Sequence, residues 1–168
     1  MKKLIAYFSR ADENYFNGAL RNIEVGNTEV VAKKIQKWNG ADLFKIEPVQ
    51  AYSKDYNTCI AQAKDDLQRE ARPELKSYFE DLSDYDEIYL GYPNYWGTCP
   101  MAVFTFLEHY DFTGKKIYPF CTHEGSGMGR SETDIKKVCN GQIETPLAIH
   151  GSDVNESDSL IQDWLGGK

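Results

Sequence analysis

Short apolar runs alternate with stretches of helical periodicity from one end of this chain to the other. The runs are Lys3 to Phe8, Leu43 to Ile46, Glu87 to Tyr92, Lys116 to Thr122 and Ile143 to His150. Between them, apolar residues recur every three or four positions, the period of one helix face. Val31, Ile35 and Trp38 mark a helix over 28–39, stopped by Gly40, and Tyr56, Ile60, Ala63 and Leu67 mark another over 56–70. Val103, Phe106, Leu107 and Tyr110 follow Pro100, a residue suited to a first helical turn. Ser131 reads as an N-cap ahead of Ile135, Val138 and Cys139. Leu160, Ile161, Trp164 and Leu165 mark a closing helix stopped by Gly166-Gly167. A strand that returns parallel to the previous one needs a crossover about a dozen residues long or more, usually a helix. Five strands separated in this way imply an α/β fold, with one parallel sheet covered by helices on both faces. Pro146 interrupts the last run, which places that strand at a sheet edge or gives it a bulge.

The 168 residues fit a single domain, 1–168, large enough to bury a proper core. A net charge of −7 without a basic run argues against nucleic-acid binding and against anionic membranes, and suits basic partners. Cys59, Cys99, Cys121 and Cys139 form no CxxC pair, so neither a zinc site nor a dithiol redox motif is indicated. The apolar run after Met1-Lys2-Lys3 is too short for a signal peptide or a membrane span, and the expected location is the cytoplasm.

Ligands of open parallel sheets bind beyond the carboxyl ends of the strands. Three loops at such ends are unusual here. After the first strand come Ser9 and Arg10, then a long polar stretch, Ala11 to Val25, read as a loop, and then Gly26, Asn27 and Thr28 opening a helix. A helix N-terminus offers unpaired N–H groups and partial positive charge, which suits a phosphate. Gly26 permits close approach, and Ser9, Asn27 and Thr28 add donors. The bland alternative is that Asn27 or Thr28 only caps the helix. Neither a Walker motif nor a GxGxxG after the first strand is present.

After the third strand come Pro93, Asn94, Tyr95, Trp96 and Gly97. A Trp in a polar turn costs stability unless it covers something, and a flat ring system would stack on it. The alternative is that Trp96 packs on the next helix. After the fourth strand come Thr122, His123, Glu124, Gly125, Ser126, Gly127, Met128 and Gly129. Its glycines allow backbone N–H groups to approach a ligand, or simply form a flexible turn. His123 beside Glu124 lacks the paired spacing of a metal site, and no GxSxG elbow supports a hydrolase. His109 and His150, and Cys99 and Cys121, read as structural.

With these residues in view, the chain resembles flavodoxins and flavodoxin-like bacterial proteins along essentially its whole length. The resemblance implies a three-layer sandwich, a five-stranded parallel sheet in the order 2-1-3-4-5, and bound FMN. Ser9, Arg10, Asn27 and Thr28 correspond to the phosphate loop, split by the insertion. Pro93, Asn94, Tyr95, Trp96 and Gly97 correspond to the flavin-stacking loop. Thr122, His123, Glu124, Gly125 and Gly127 correspond to the third loop, which lacks the Tyr that many flavodoxins place over the outer flavin face. Met128, His123 or an aromatic from the insertion would then cover that face, or leave it open. The resemblance implies one-electron transfer between redox partner proteins. An NAD(P)H-dependent quinone reductase is the second reading, and a non-catalytic FMN-binding regulatory module the third. A monomer or weak homodimer is expected.

Overall fold

The structure, a computed structural model, describes residues 2–16 and 18–166. Its elements in chain order are β1 (Lys2–Tyr7), β2 (Asp12–Phe16), β3 (Ala19–Ile23), α1 (Asn27–Asn39), β4 (Asp42–Lys45), α2 (Tyr56–Gln68) and β5 (Tyr85–Pro93). There follow α3 (Met101–His109), β6 (Lys116–His123), α4 (Ser131–Val138), β7 (Gln142–Ile143), β8 (Leu147–His150), a 3₁₀ turn (Gly151–Glu156) and α5 (Asp158–Gly166). Gly167, expected to help stop the last helix, lies outside the described residues.

The main sheet runs β4-β1-β5-β6, and both β7 and β8 pair with the far side of β6. All these pairs are parallel. This is the expected 2-1-3-4-5 order, with the fifth strand at the edge and divided in two around Pro146. β7 pairs at Lys116–Ile117, and β8 pairs at Phe120–His123. A proline lacks the N–H that a continuous ladder needs, and an edge position tolerates the gap.

Successive residues of each central strand enter opposite cores. Leu4, Ala6, Ile88, Leu90, Ile117 and Cys121 pack with α3 and α4 residues such as Val103, Phe106 and Ile135. Ile5, Tyr7, Tyr89, Tyr118 and Phe120 pack with Val31 and Ile35 of α1 and Ile161 of α5. Both faces are therefore dry, which explains why the strand sequences run apolar without alternation. Among the described residues no helix is long and apolar enough to cross a membrane.

Three sequence expectations change. The stretch 11–25 contains an antiparallel hairpin, β2 with β3, in which Tyr15 faces Leu20 across the ladder. Residues 12–15 and 19–23 are half-exposed or exposed, so they lack the apolar run that betrays a buried strand. Trp38 is 45% exposed, whereas Val31 and Ile35 are fully buried. The buried stripe of α1 ends one turn before the helix, and Gly40 at φ 69° turns the chain toward β4. Ser131 is the first helical residue of α4 and Arg130 occupies the cap position. The Ser131 Oγ lies 2.9 Å from the Tyr92 hydroxyl and donates to the Met128 carbonyl at 2.7 Å. A buried tyrosine hydroxyl needs such a partner, and that requirement outweighs capping here.

Candidate functional site

A cleft of about 460 Å³ opens beyond the carboxyl ends of β1, β5 and β6. That is within the roughly 300–1,000 Å³ of small-molecule and cofactor sites. Ser9, Arg10, Asn27, Thr28, Pro93, Asn94, Tyr95, Trp96, Gly97, Thr122, His123 and Glu124 all line it. Gly125 and Gly127 do not line it. At φ 125° and 63° they shape the turn that carries the third loop back toward α4.

The α1 end is built around a close approach. Ser9 Oγ accepts from the Glu29 amide at 3.1 Å, and the Val30 amide donates to the Gly26 carbonyl at 3.1 Å. A Cβ on Gly26 would sit 2.2 Å from Ser9 Oγ and 2.7 Å from the Arg10 carbonyl oxygen, so only glycine fits. Gly26 occupies the cap position and has no side chain of its own to cap the helix. Asn27 and Thr28 are therefore helical residues on the cleft wall and not caps. Thr28 is buried, its Oγ1 2.8 Å from that of Thr122.

Arg10 is turned toward backbone oxygens. It donates to the Glu13 carbonyl, and to those of Ser53 at 2.8 Å and Lys54 at 2.9 Å. The guanidinium thus ties the first loop and the hairpin to the segment entering α2. Its Nε is buried and has no hydrogen-bond partner among the described residues. A buried donor left over on a cleft-lining side chain suits an incoming anion or carbonyl oxygen.

The β5 end carries a tight turn. Tyr95 and Thr98 bond to each other through their backbones, at 2.8 and 3.2 Å. Between them Trp96 and Gly97 have φ 56° and 87°, the two positive values of a type I′ turn. Gly97 adopts this readily, but a bulky residue there is strained, and such strain concentrates at functional sites. The Trp96 ring is 45% exposed, held by its Nε1–H to the Ile60 carbonyl at 2.9 Å, with Lys64 Nζ 5.3 Å from the ring. It therefore leans on α2, and not on α3, the next helix in sequence.

The third loop is joined to this turn. The Asn94 amide donates to the Thr122 carbonyl at 2.9 Å, and Asn94 Nδ2 to the Gly127 carbonyl at 2.8 Å. His123 Nδ1 accepts from the Gly125 amide at 2.9 Å. Burial, and then the neighbouring His150 ring 5.5 Å away, push the His123 pKa down, so the ring is neutral near pH 7. His150 Nδ1 meets Ser152 Oγ at 2.8 Å and lies 3.3 Å from Glu124 Oε2. Met128 packs toward the core and does not line the cleft.

Sequence reasoning missed part of the wall. Tyr56, Cys59, Ile60 and Ala63 line the cleft along one stripe of α2, and Asn14 lines it from the hairpin; Tyr15 and Ser126, from the insertion and the third loop already singled out, line it as well. The α2 stripe was visible as a helix face, but its spacing looks the same whether it meets a core or a ligand. The Tyr15 and Tyr56 rings meet edge to face, 4.9 Å apart, and Glu13 Oε1 accepts from the Tyr56 amide at 2.9 Å. Burial raises the pKa of the Cys59 thiol, and burial with the Tyr15 neighbour raises that of the Tyr56 hydroxyl, so both stay protonated.

The cleft thus combines hydroxyls, a helix N-terminus and a guanidinium with the aromatic and apolar side chains of Trp96, Tyr56, Tyr15, Ile60 and Ala63. Among the described residues no group of three or more His, Cys, Asp or Glu is placed to hold a metal. The arrangement suits a flat ring system carrying an anionic tail.

Comparison with solved structures agrees with the fold. A protein provisionally described as a flavoprotein from Bacteroides eggerthii is 29% identical, with a TM-score of 0.77 over 99% of this chain and 96% of that one. A Lactobacillus acidophilus flavoprotein in complex with FMN is 20% identical, with a TM-score of 0.65 over 92% of this chain and 97% of that one. Oxidised flavodoxin 2 from Bacillus cereus is 17% identical, with a TM-score of 0.52 over the full length of both chains. No functionally curated protein matches the sequence. The flavodoxin family profile matches residues 2–166, and the chain belongs to the flavodoxin family.

Proposed function

We propose that this protein binds FMN in the cleft and passes electrons one at a time between redox partner proteins. The observation that carries the reading is the exposed Trp96, held at φ 56° in a turn that lines the same cleft as a helix N-terminus whose close packing demands Gly26. A strained, half-exposed indole is unfavourable for the free protein and favourable for one that stacks a flat ring on it.

The residues present fit the cofactor. Ser9, Thr28, Asn27 and the first amides of α1 would hold its phosphate, with Arg10 Nε as a further donor. Trp96 would stack on the ring system, and the backbone of Thr122 to Glu124 would meet its edge. When bound, FMN supplies electron storage in single steps, and the protein tunes it. The lowered pKa of His123 keeps its ring neutral, so this residue adds no charge of its own to the cleft of a chain whose net charge is −7. That negative field disfavours extra electrons on the cofactor and attracts basic partners.

A second reading has support from the third loop. It contributes His123, Glu124 and Ser126 to the cleft and no Tyr or Trp. A ring face left uncovered would admit a nicotinamide or quinone, as an NAD(P)H-dependent quinone reductase requires. Anaerobic titration of the FMN-loaded protein with NADPH separates the two. Retained yellow absorbance, lost only on adding a one-electron reductant, supports the carrier. Rapid bleaching by NADPH alone supports the reductase. Failure to retain FMN contradicts both.

A further inference from the structure

We propose that Arg130 is a positioning residue that latches the Trp96–Gly97 peptide, so that this peptide presents one fixed orientation to the cleft. The redox consequence rests on the FMN reading above, whereas the latch is a property of the protein alone.

Both polar groups of that peptide are engaged. Arg130 Nη1 donates to the Trp96 carbonyl at 3.3 Å, and the Gly97 amide donates to Asn94 Oδ1 at 2.8 Å. A further tie joins the Arg130 amide to the Gly97 carbonyl at 2.7 Å. Asp134 holds the guanidinium through Nε at 3.4 Å, and the same carboxylate oxygen accepts the Thr98 hydroxyl at 2.6 Å. Arg130, Asp134 and Thr98 thus close a ring around the turn.

The glycines show that this approach is built in. A Cβ on Gly97 would meet Arg130 Nη1 at 3.0 Å, and one on Gly129 would meet the Gly97 carbonyl oxygen at 2.3 Å. A side chain at Gly129 would push the two loops apart, and one at Gly97 would displace the Arg130 guanidinium. On the other side, Trp96 Nε1 is tied to Ile60. The indole and the flanking residues are thus held, and rotation of the Trp96–Gly97 peptide is the freedom left to the turn. Such rotation breaks the bonds to Arg130 and Asn94 together.

The Arg130 side chain is 52% exposed, and exposed ion pairs contribute little to stability. Its geometry is accounted for by what it does to the turn. A cofactor that takes up a proton with its first electron changes the hydrogen-bonding character of its rim. A peptide free to turn responds to that change, and a latched one resists. Arg130 therefore holds the first one-electron potential below the value an unlatched turn would give.

The test uses R130Q and R130K, with two readouts. In the apoprotein, amide hydrogen exchange at Gly97 should accelerate about tenfold or more in R130Q, while the β1 and β5 amides stay unchanged. In the FMN-loaded protein, the first one-electron potential should rise in both variants. A tenfold shift of that equilibrium is about 59 mV for one electron. Charge removal alone would lower the potential in R130Q and leave it unchanged in R130K, and that pattern would overturn the latch. Unaltered exchange at Gly97 in R130Q would overturn it as well. Accelerated exchange in a protein that binds no FMN would support the latch and contradict the cofactor reading.

Discussion

The side-chain oxygens of Thr28 and Thr122, 94 residues apart in sequence, lie 2.8 Å from one another in the floor of the cleft. One lies in the first turn of α1 and the other near the end of β6, so this contact fixes the N-terminus of α1 against the third loop. Thr28→Val leaves the Thr122 hydroxyl buried without its partner, which costs about 1–3 kcal/mol. Urea unfolding should show that loss, and a smaller loss in the double variant T28V/T122V, where neither hydroxyl remains. Equal costs for the single and double variants would mean the contact contributes nothing specific.

Gly26→Ala places a methyl 2.2 Å from Ser9 Oγ and disrupts the Ser9 contact to the Glu29 amide. Affinity for FMN should fall at least tenfold, whereas riboflavin, which lacks the phosphate, should bind nearly as before. A parallel loss for both ligands would place the phosphate elsewhere.

His123 gives a pH dependence. Its folded pKa lies below the ordinary value because of burial and the His150 ring. Between the two values the unfolded chain binds a proton that the folded chain does not, so stability rises with pH through that window. Acidification from above about pH 6.5 should therefore lower the thermal midpoint, the unfolded value being near 6.5. In His123→Asn this slope should flatten, and a slope of wild-type steepness would assign the effect to another group.

All four cysteines are buried and free. Burial raises the Cys59, Cys99 and Cys139 thiols and pushes Cys121 up to about 12. Since the thiolate is the reactive form, the native protein should react slowly with a disulfide reagent at pH 8, and all four thiols should titrate in denaturant. Fast reaction of Cys59 in the native state would show that the cleft wall opens there.

How much was legible in the sequence follows from where each residue gets its constraint. Lys3 to Phe8 and Glu87 to Tyr92 are buried on both faces, so their apolar runs marked strands directly. The glycines and aromatics of the three loops announced the cleft because they sit at strand ends. The hairpin 12–23 was hidden, since its strands carry no apolar run and Arg10, Asn14 and Glu13 tie it to loop backbone through polar contacts. Tyr56, Cys59 and Ala63 were read as helix face only, because periodicity tells that a face is covered and not by what. The Arg130 latch joins two loops 34 residues apart, and no local pattern records such a pairing.

The central claim is that Trp96 and the α1 N-terminus form one FMN site. Titration of the apoprotein with FMN, followed by flavin fluorescence for the wild type and Trp96→Ala, tests it most directly. The account predicts saturable quenching at one FMN per chain, and an affinity weakened at least tenfold in the variant. Equal affinity in the two proteins, or no quenching in either, would contradict it.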